Sequence, residues 1–211
     1  MLEYLVFDLE TQRSAQDVGG WDHIPEMKMS VGVLYDSRDG KFHSYFESDV
    51  VALMDHLRSG PLVIGYNHMG FDYPVLSGYY PLEERAEALQ GFKDLKNLDL
   101  LLDLRDRIGK RVKLDAVVRP TLEVGKSADG LMALEWYKEY LDGQTEKLGM
   151  IADYCKQDVA VTRDLFEYGR KTGEVKYLDR DRGILEVGVV WGEEPKADDP
   201  EPDQSEQLSF F

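Results

Sequence analysis

The stretch "YLVFDLETQ", residues 4–12, is an apolar run that ends in two acids, Asp8 and Glu10. Alternate residues of a strand point to one face. Asp8 and Glu10 therefore sit side by side, close enough to repel. A chain usually avoids that arrangement unless a cation holds the pair.

The flanking sequence supplies the elements around this strand, which is expected over residues 2–8. "KMSVGVLYDS" (28–37) and "KFHSYFES" (41–48) surround a Gly-containing turn and have the pattern of a hairpin. "SDVVALMDHLRSG" (48–60) has a Ser/Asp start and a Gly stop, the signature of a helix. "PLVIGYN" (61–67) is a short apolar run of central-strand type. Helical pieces are expected over 71–80 and over 81–92, the second opened by Pro81. "NLDLLLDLRDRIG" (97–109) fits either a strand with a helix or one continuous helix. Helices are expected over 129–143 and 145–169. In the latter the apolar positions Leu148, Ile151, Cys155, Val159 and Thr162 recur at three and four. Residues 174–191 have the pattern of a closing hairpin. Strands first, then helices alternating with strands, predict an α/β fold: a mixed β-sheet flanked by helices.

Composition narrows the functional classes. A chain of 211 residues suits one domain with a sizeable core and a tail. No stretch approaches the roughly 20 apolar residues of a membrane span. The early acids Glu3 and Asp8 do not suit a signal peptide. The single cysteine, Cys155, allows no internal disulfide. A cytoplasmic protein without a membrane partner is expected. The net charge of −16 argues against binding nucleic acid through a broad basic surface. It leaves room for a nucleic-acid enzyme built on carboxylates and metal ions.

Further acids stand in telling places. Asp72 follows the strand predicted at 61–67. Tyr154 and Asp158 lie four apart on one helix and share a face. Hard cations such as Mg²⁺ take oxygen ligands. Two such ions about 3.5–4 Å apart stabilise both the attacking and the leaving oxygen in phosphodiester cleavage. Asp8, Glu10, Asp72 and Asp158 would supply four carboxylates from different elements.

Three segments carry a resemblance. "FDLET" (7–11) resembles the first motif of the DEDD superfamily of 3′→5′ exonucleases, "NHMGFD" (67–72) the second, and "YCKQD" (154–158) the third in its tyrosine form. "KLDAVVRPTL" (113–122), followed by Lys126, is also similar to proofreading domains of family B DNA polymerases and to the YprB-type branch. The likeness spans residues 2 to about 170 and implies a ribonuclease-H-like fold over 1–191. It implies that Asp8 bridges two Mg²⁺ or Mn²⁺ ions, that Glu10, Asp72 and Asp158 complete their coordination, and that Tyr154 positions the attacking water. Thr11 and Asn67 would contact the terminal nucleotide, Phe71 would pack behind Asp72, and Lys126 would join the substrate contacts.

Other features leave alternatives open. His68 either faces the substrate or lies at the surface; none of the four histidines has metal-ligand spacing. Cys155 falls on an apolar stripe and is expected to be buried. The basic run "RDRIGKRVK" (105–113) either holds phosphates or is a solvated loop. Residues 192–206 are acidic and nearly free of apolar side chains, the composition of a disordered linker. The final "QLSFF", Gln207, Leu208, Ser209, Phe210 and Phe211, either folds back, is chance, or acts as a short linear motif. It resembles the bacterial sliding-clamp-binding motif, with Phe210 where Leu is usual. The expected function is a 3′→5′ exonuclease acting on DNA 3′ ends in replication or repair and recruited by a sliding clamp. The alternatives are an exoribonuclease and a non-catalytic nucleic-acid or clamp-binding adaptor.

Overall fold

The computed structural model describes residues 2–124 and 131–192. Its centre is a five-stranded mixed sheet in the order β3-β2-β1-β4-β5. The strands are β1 (Tyr4–Thr11), β2 (Met29–Asp36), β3 (Lys41–Phe46), β4 (Leu62–Gly65) and β5 (Asn97–Asp99). The first three form an antiparallel meander, whereas β4 pairs parallel with β1, and β5 parallel with β4. The apolar run at the N-terminus is thus the middle strand. It extends to Thr11 rather than ending at residue 8, so both acids lie inside it.

Alternation along β1 divides the core in two. Leu5, Phe7 and Leu9 face a layer made by α1 (Val50–Leu57), α2 (Asp72–Ser77) and α3 (Arg85–Lys93). Tyr4 and Val6 face α4 (Leu100–Ile108), α5 (Leu114–Leu122), α6 (Leu131–Leu141) and α7 (Glu146–Thr172). Each buried aliphatic side chain stabilises the fold by about 1.5–3 kcal/mol, so the two layers lock the direction of every β1 side chain. Asp8 and Glu10 continue the Tyr4–Val6 row and point toward α7.

α7 is the longest element, 27 residues, closed by Gly173 in the left-handed conformation (φ 76). Its buried residues include Ile151, Cys155, Val159, Thr162, Leu165, Phe166 and Gly169, extending the predicted stripe. Gly169 admits the Trp191 ring; a Cβ there would lie 2.4 Å from it. Trp191 also donates from Nε1 to Asp103 Oδ2 at 2.8 Å, tying the end of the described chain to α4.

Residues 97–109 resolve as a short strand followed by a helix. The predicted closing hairpin, β6 (Glu174–Asp179) with β7 (Gly183–Gly188), forms a separate two-stranded sheet. Two elements were not expected: a 3₁₀ segment at Trp21–Glu26, and α5, which contains Pro120. Thr121 secures α5 to β6, donating from Oγ1 to the Lys176 carbonyl at 2.8 Å and accepting from the Lys176 N–H at 2.9 Å. No helix among the described residues is long and apolar enough to cross a membrane.

Asp99 joins the sheet to the loop that follows β4. It caps α4, accepting from the Leu101 and Leu102 N–H groups at 3.1 and 3.3 Å. It also accepts from the Asn67 N–H at 2.8 Å and the Met69 N–H at 3.1 Å. Asn67 adopts φ 72, a left-handed conformation that Asn tolerates better than most residues. We predict that Asp99→Ala, which removes a cap and leaves two loop N–H groups without their acceptor, lowers stability by about 2–3 kcal/mol. Urea denaturation measures this, and a loss below about 0.5 kcal/mol, the range of an ordinary surface change, would contradict the latch.

Candidate active site

β1 projects past the end of β4, which leaves main-chain groups of residues 7–11 without a parallel partner. Asp72, the first residue of α2, occupies part of that gap and accepts from the Leu9 N–H through Oδ1 at 3.0 Å. The second motif is thereby hydrogen-bonded to the first. α7 passes over the same end of β1 and brings Asp158 to the two strand acids. Carboxylate oxygens of Asp8, Glu10 and Asp158 lie within 4.8 Å of one another. Asp72 is beside this triad rather than within it, with one oxygen committed to the strand.

The electrostatics follow from that convergence. Burial raises Asp8 well above the usual carboxylate range, and the charges of Asp72, Asp158 and Glu10 raise it further. Glu10 is pushed up to about 8 by burial and by the Asp158 and Asp72 charges. Burial pushes Asp72 up to about 8, against the N–H bond from Leu9. Asp158 is raised to about 6 by burial, although a hydrogen bond with Tyr154 favours its charged form. These oxygens want either protons or a cation. An all-carboxylate donor set fits a hard divalent ion, and no described Lys or Arg is paired with any of these four acids among the ion pairs formed.

Tyr154 is buried, and its ring meets Trp136 edge-on at 6.4 Å. Burial and the neighbouring acids raise its hydroxyl far above neutrality, so it stays protonated and hydrogen-bonds Asp158. Cys155 is buried as expected, but does more than pack. Its thiol donates to the Asp8 main-chain oxygen at 3.4 Å and lies 3.8 Å from Asp8 Oδ2. The sequence carried no signal for this contact, because Cys155 reads equally well as part of the apolar stripe.

The other expected residues are placed as follows. Thr11 is buried, and its hydroxyl donates to the Arg13 carbonyl at 3.0 Å. Asn67 Oδ1 accepts from Arg111 at 3.1 Å. Phe71 is half-buried and packs against Trp21, with ring centroids 6.3 Å apart at 62°. His68 neither faces the substrate side nor lies at the surface. It is fully buried, and its Nε2 meets Asn97 Oδ1 at 3.1 Å. Because an amide oxygen only accepts, Nε2 carries the proton, and burial lowers the imidazole's affinity for a second one. Much of the basic run is paired: Arg105 with Asp106, Arg107 with Asp103, and Lys110 with Asp179. Lys126 and residues 207–211 lie outside the described residues.

The raised carboxylates fix the sign of a pH effect. Glu10 and Asp72, ordinarily near 4.5 and 3.8, hold protons in the folded chain up to about 8. Between pH 6.5 and 8.5 the folded state therefore binds more protons than the unfolded state, and stability falls as pH rises. His68 acts in the opposite sense only below its ordinary value of 6.5. In chelator the melting temperature should drop across this window, and Mg²⁺ at pH 8.5 should raise it again. A melting temperature that is flat or rising from pH 6.5 to 8.5 in chelator would contradict the burial of these acids as a cluster.

Comparison with known proteins identifies the fold and the superfamily. A DNA-directed DNA polymerase from Enterobacteria phage T3 is 28% identical over 229 residues, covering 93% of this chain and 31% of that protein. The family B DNA polymerase from the hyperthermophilic archaeon Pyrobaculum calidifontis shares the fold, with a TM-score of 0.57 at 20% identity; the match covers 80% of this chain and 24% of that one. The chain thus spans less than a third of either polymerase. The mixed five-stranded sheet flanked by helices is the ribonuclease-H-like fold. Residues 5–169 match the RNase_H superfamily, a span that includes β1, α2, and α7 through the Tyr154–Asp158 pair, and the chain belongs to that superfamily.

Proposed function

We propose that this chain is a metal-dependent 3′→5′ exonuclease acting on DNA. The observation that carries the reading is the convergence of Asp8, Glu10 and Asp158 to within 4.8 Å, with Asp72 bonded to the same strand. Asp8, Glu10 and Asp158 would hold divalent ions, with Asp72 completing the set through the oxygen it does not give to Leu9. When bound, Mg²⁺ or Mn²⁺ supplies positive charge to the scissile phosphate and lowers the pKa of a bound water.

The protein's own groups do the positioning. Tyr154 donates its hydroxyl proton to Asp158, which leaves the phenolic oxygen's lone pairs to accept from the attacking water and orient it. A hydroxyl held so far above neutrality is a poor general base. Cys155 braces the Asp8 main chain from beneath. Thr11 and Phe71, which line a cavity beside Glu10, would meet the terminal nucleotide, together with Asn67, whose side chain is held by Arg111. Similarity to DNA polymerases supports DNA rather than RNA as the substrate.

Tail recruitment belongs to the same proposal. Residues 193–206 contain seven acids and one base, a poor surface for DNA, and the whole chain is strongly acidic. Tethering "QLSFF" to a sliding clamp would raise the local concentration of DNA ends without a basic surface. Leu208, Phe210 and Phe211 would be the apolar anchors and Gln207 the polar one.

Digestion of 3′-labelled and 5′-labelled single-stranded DNA tests the chemistry and its direction. Cleavage should proceed from the 3′ end, stop in chelator and return with Mg²⁺ or Mn²⁺. Asp8→Ala and Asp158→Ala should each lower the rate by at least about a hundredfold. Tyr154→Phe, which keeps the ring, should lower it by about a hundredfold with metal affinity retained. Full activity in excess EDTA, or an unchanged rate in either Asp variant, would overturn the assignment.

Deleting residues 207–211 should leave digestion of short oligonucleotides unchanged and abolish binding to a bacterial sliding clamp. Absence of binding by the intact chain at about 50 µM, a weak affinity on the usual scale, would sink the recruitment reading alone.

A further inference from the structure

A cavity of about 790 Å³ opens from the end of β1. Glu10 lines it, so it reaches the carboxylate cluster, and Thr11, Trp21 and Phe71 line it too. Trp21 is 69% exposed, the largest side chain left so open beside the site. Its edge-to-face contact with Phe71 steadies the ring at one side and leaves the rest free.

The segment bearing Trp21 is firmly built. Main-chain bonds Gln12 N–H to Lys28 O (2.9 Å) and Arg13 N–H to Met27 O (3.2 Å) close its base. Pro25 packs so tightly on α2 that a Cβ at Gly78 would lie 1.9 Å from the Pro25 oxygen. Lys28 donates to the Gly78 carbonyl, and Arg85 pairs with Glu26. An indole on a stiff mount beside a hydrolytic site loses little freedom when a planar ligand stacks on it.

The charges around the cavity favour a base over a phosphate. Arg13 and Lys138 line it, but so do Glu10, Asp17 and Glu135. Cations do not outnumber acids, so attraction for a backbone phosphate is weak there. Aromatic faces hold bases without regard to sequence. The cavity's size suits one or two nucleotides and not a duplex.

We infer that Trp21 is a stacking platform for a nucleobase of the bound strand next to the cleavage point. This rests on the exonuclease reading for its substrate class.

Binding and cleavage are tested separately. In an Asp158→Ala background the strand stays intact, and fluorescence anisotropy reports affinity for a 5′-labelled single-stranded octanucleotide and for the same strand with abasic residues at its 3′ end. The protein with Trp21 should prefer the complete strand by about fivefold to a hundredfold. Trp21→Ala should bind both strands equally, and Trp21→Phe should keep most of the preference. Since Trp21 is exposed, neither substitution removes core packing, and unchanged melting temperatures would verify this. A preference for the complete strand that survives Trp21→Ala would overturn the inference, as would no preference in the presence of Trp21. Failure of the unsubstituted chain to cleave any DNA with Mg²⁺ would instead end the exonuclease reading, with the stacking result standing on the binding data.

Discussion

Repulsion among buried carboxylates is the constraint around which this molecule is organised. Asp8 and Glu10 share a face of the central strand because the residues before them, Tyr4 and Val6, are locked into the core on that face. Asp158 joins them because α7 buries its own apolar stripe against the same sheet. Packing of the surrounding residues holds together groups that would otherwise move apart. The result is a site with stored electrostatic strain, relieved by protons or by a cation.

The neighbouring elements stabilise that arrangement through main-chain contacts more than through opposite charge. Asp72 bonds the β1 backbone, Asp99 bonds the loop that precedes Asp72, and Cys155 bonds the Asp8 carbonyl. Each contact fixes geometry without neutralising the triad, which keeps the oxygens available to a metal. Much of the densest basic run is committed elsewhere, as the partners of Arg105, Arg107 and Lys110 show. Under the proposed function, a strongly acidic protein and an acidic substrate would be reconciled locally, by cations held at the cluster and by an aromatic surface beside it.

Much of this was legible in the sequence because it is local. Strand alternation placed Asp8 and Glu10 on one face, and the four-residue spacing placed Tyr154 with Asp158 on one side of a helix. The mixed sheet followed from the order of strand and helix patterns. Contacts between distant segments were not legible. Nothing local announces that Asp99, which caps α4, also holds the Asn67 and Met69 N–H groups. His68 stands in a polar-looking motif and is nevertheless buried, with Asn97, 29 residues later, accepting from its Nε2. Trp21 lies in a segment with no periodic pattern, and its place beside Phe71 depends on packing of Pro25 against Gly78. The short β5 strand was obscured because three residues are too few to display a period.

The central claim is that the cluster holds protons which a divalent cation displaces. The direct test is calorimetric titration of Mn²⁺ at pH 7.5 in buffers of different ionisation enthalpy, for the unsubstituted chain and for Asp8→Asn. Binding accompanied by proton release, with both lost or strongly weakened in Asp8→Asn, is the predicted result. Binding without proton release, or with the same affinity and proton count in the variant, would contradict the account.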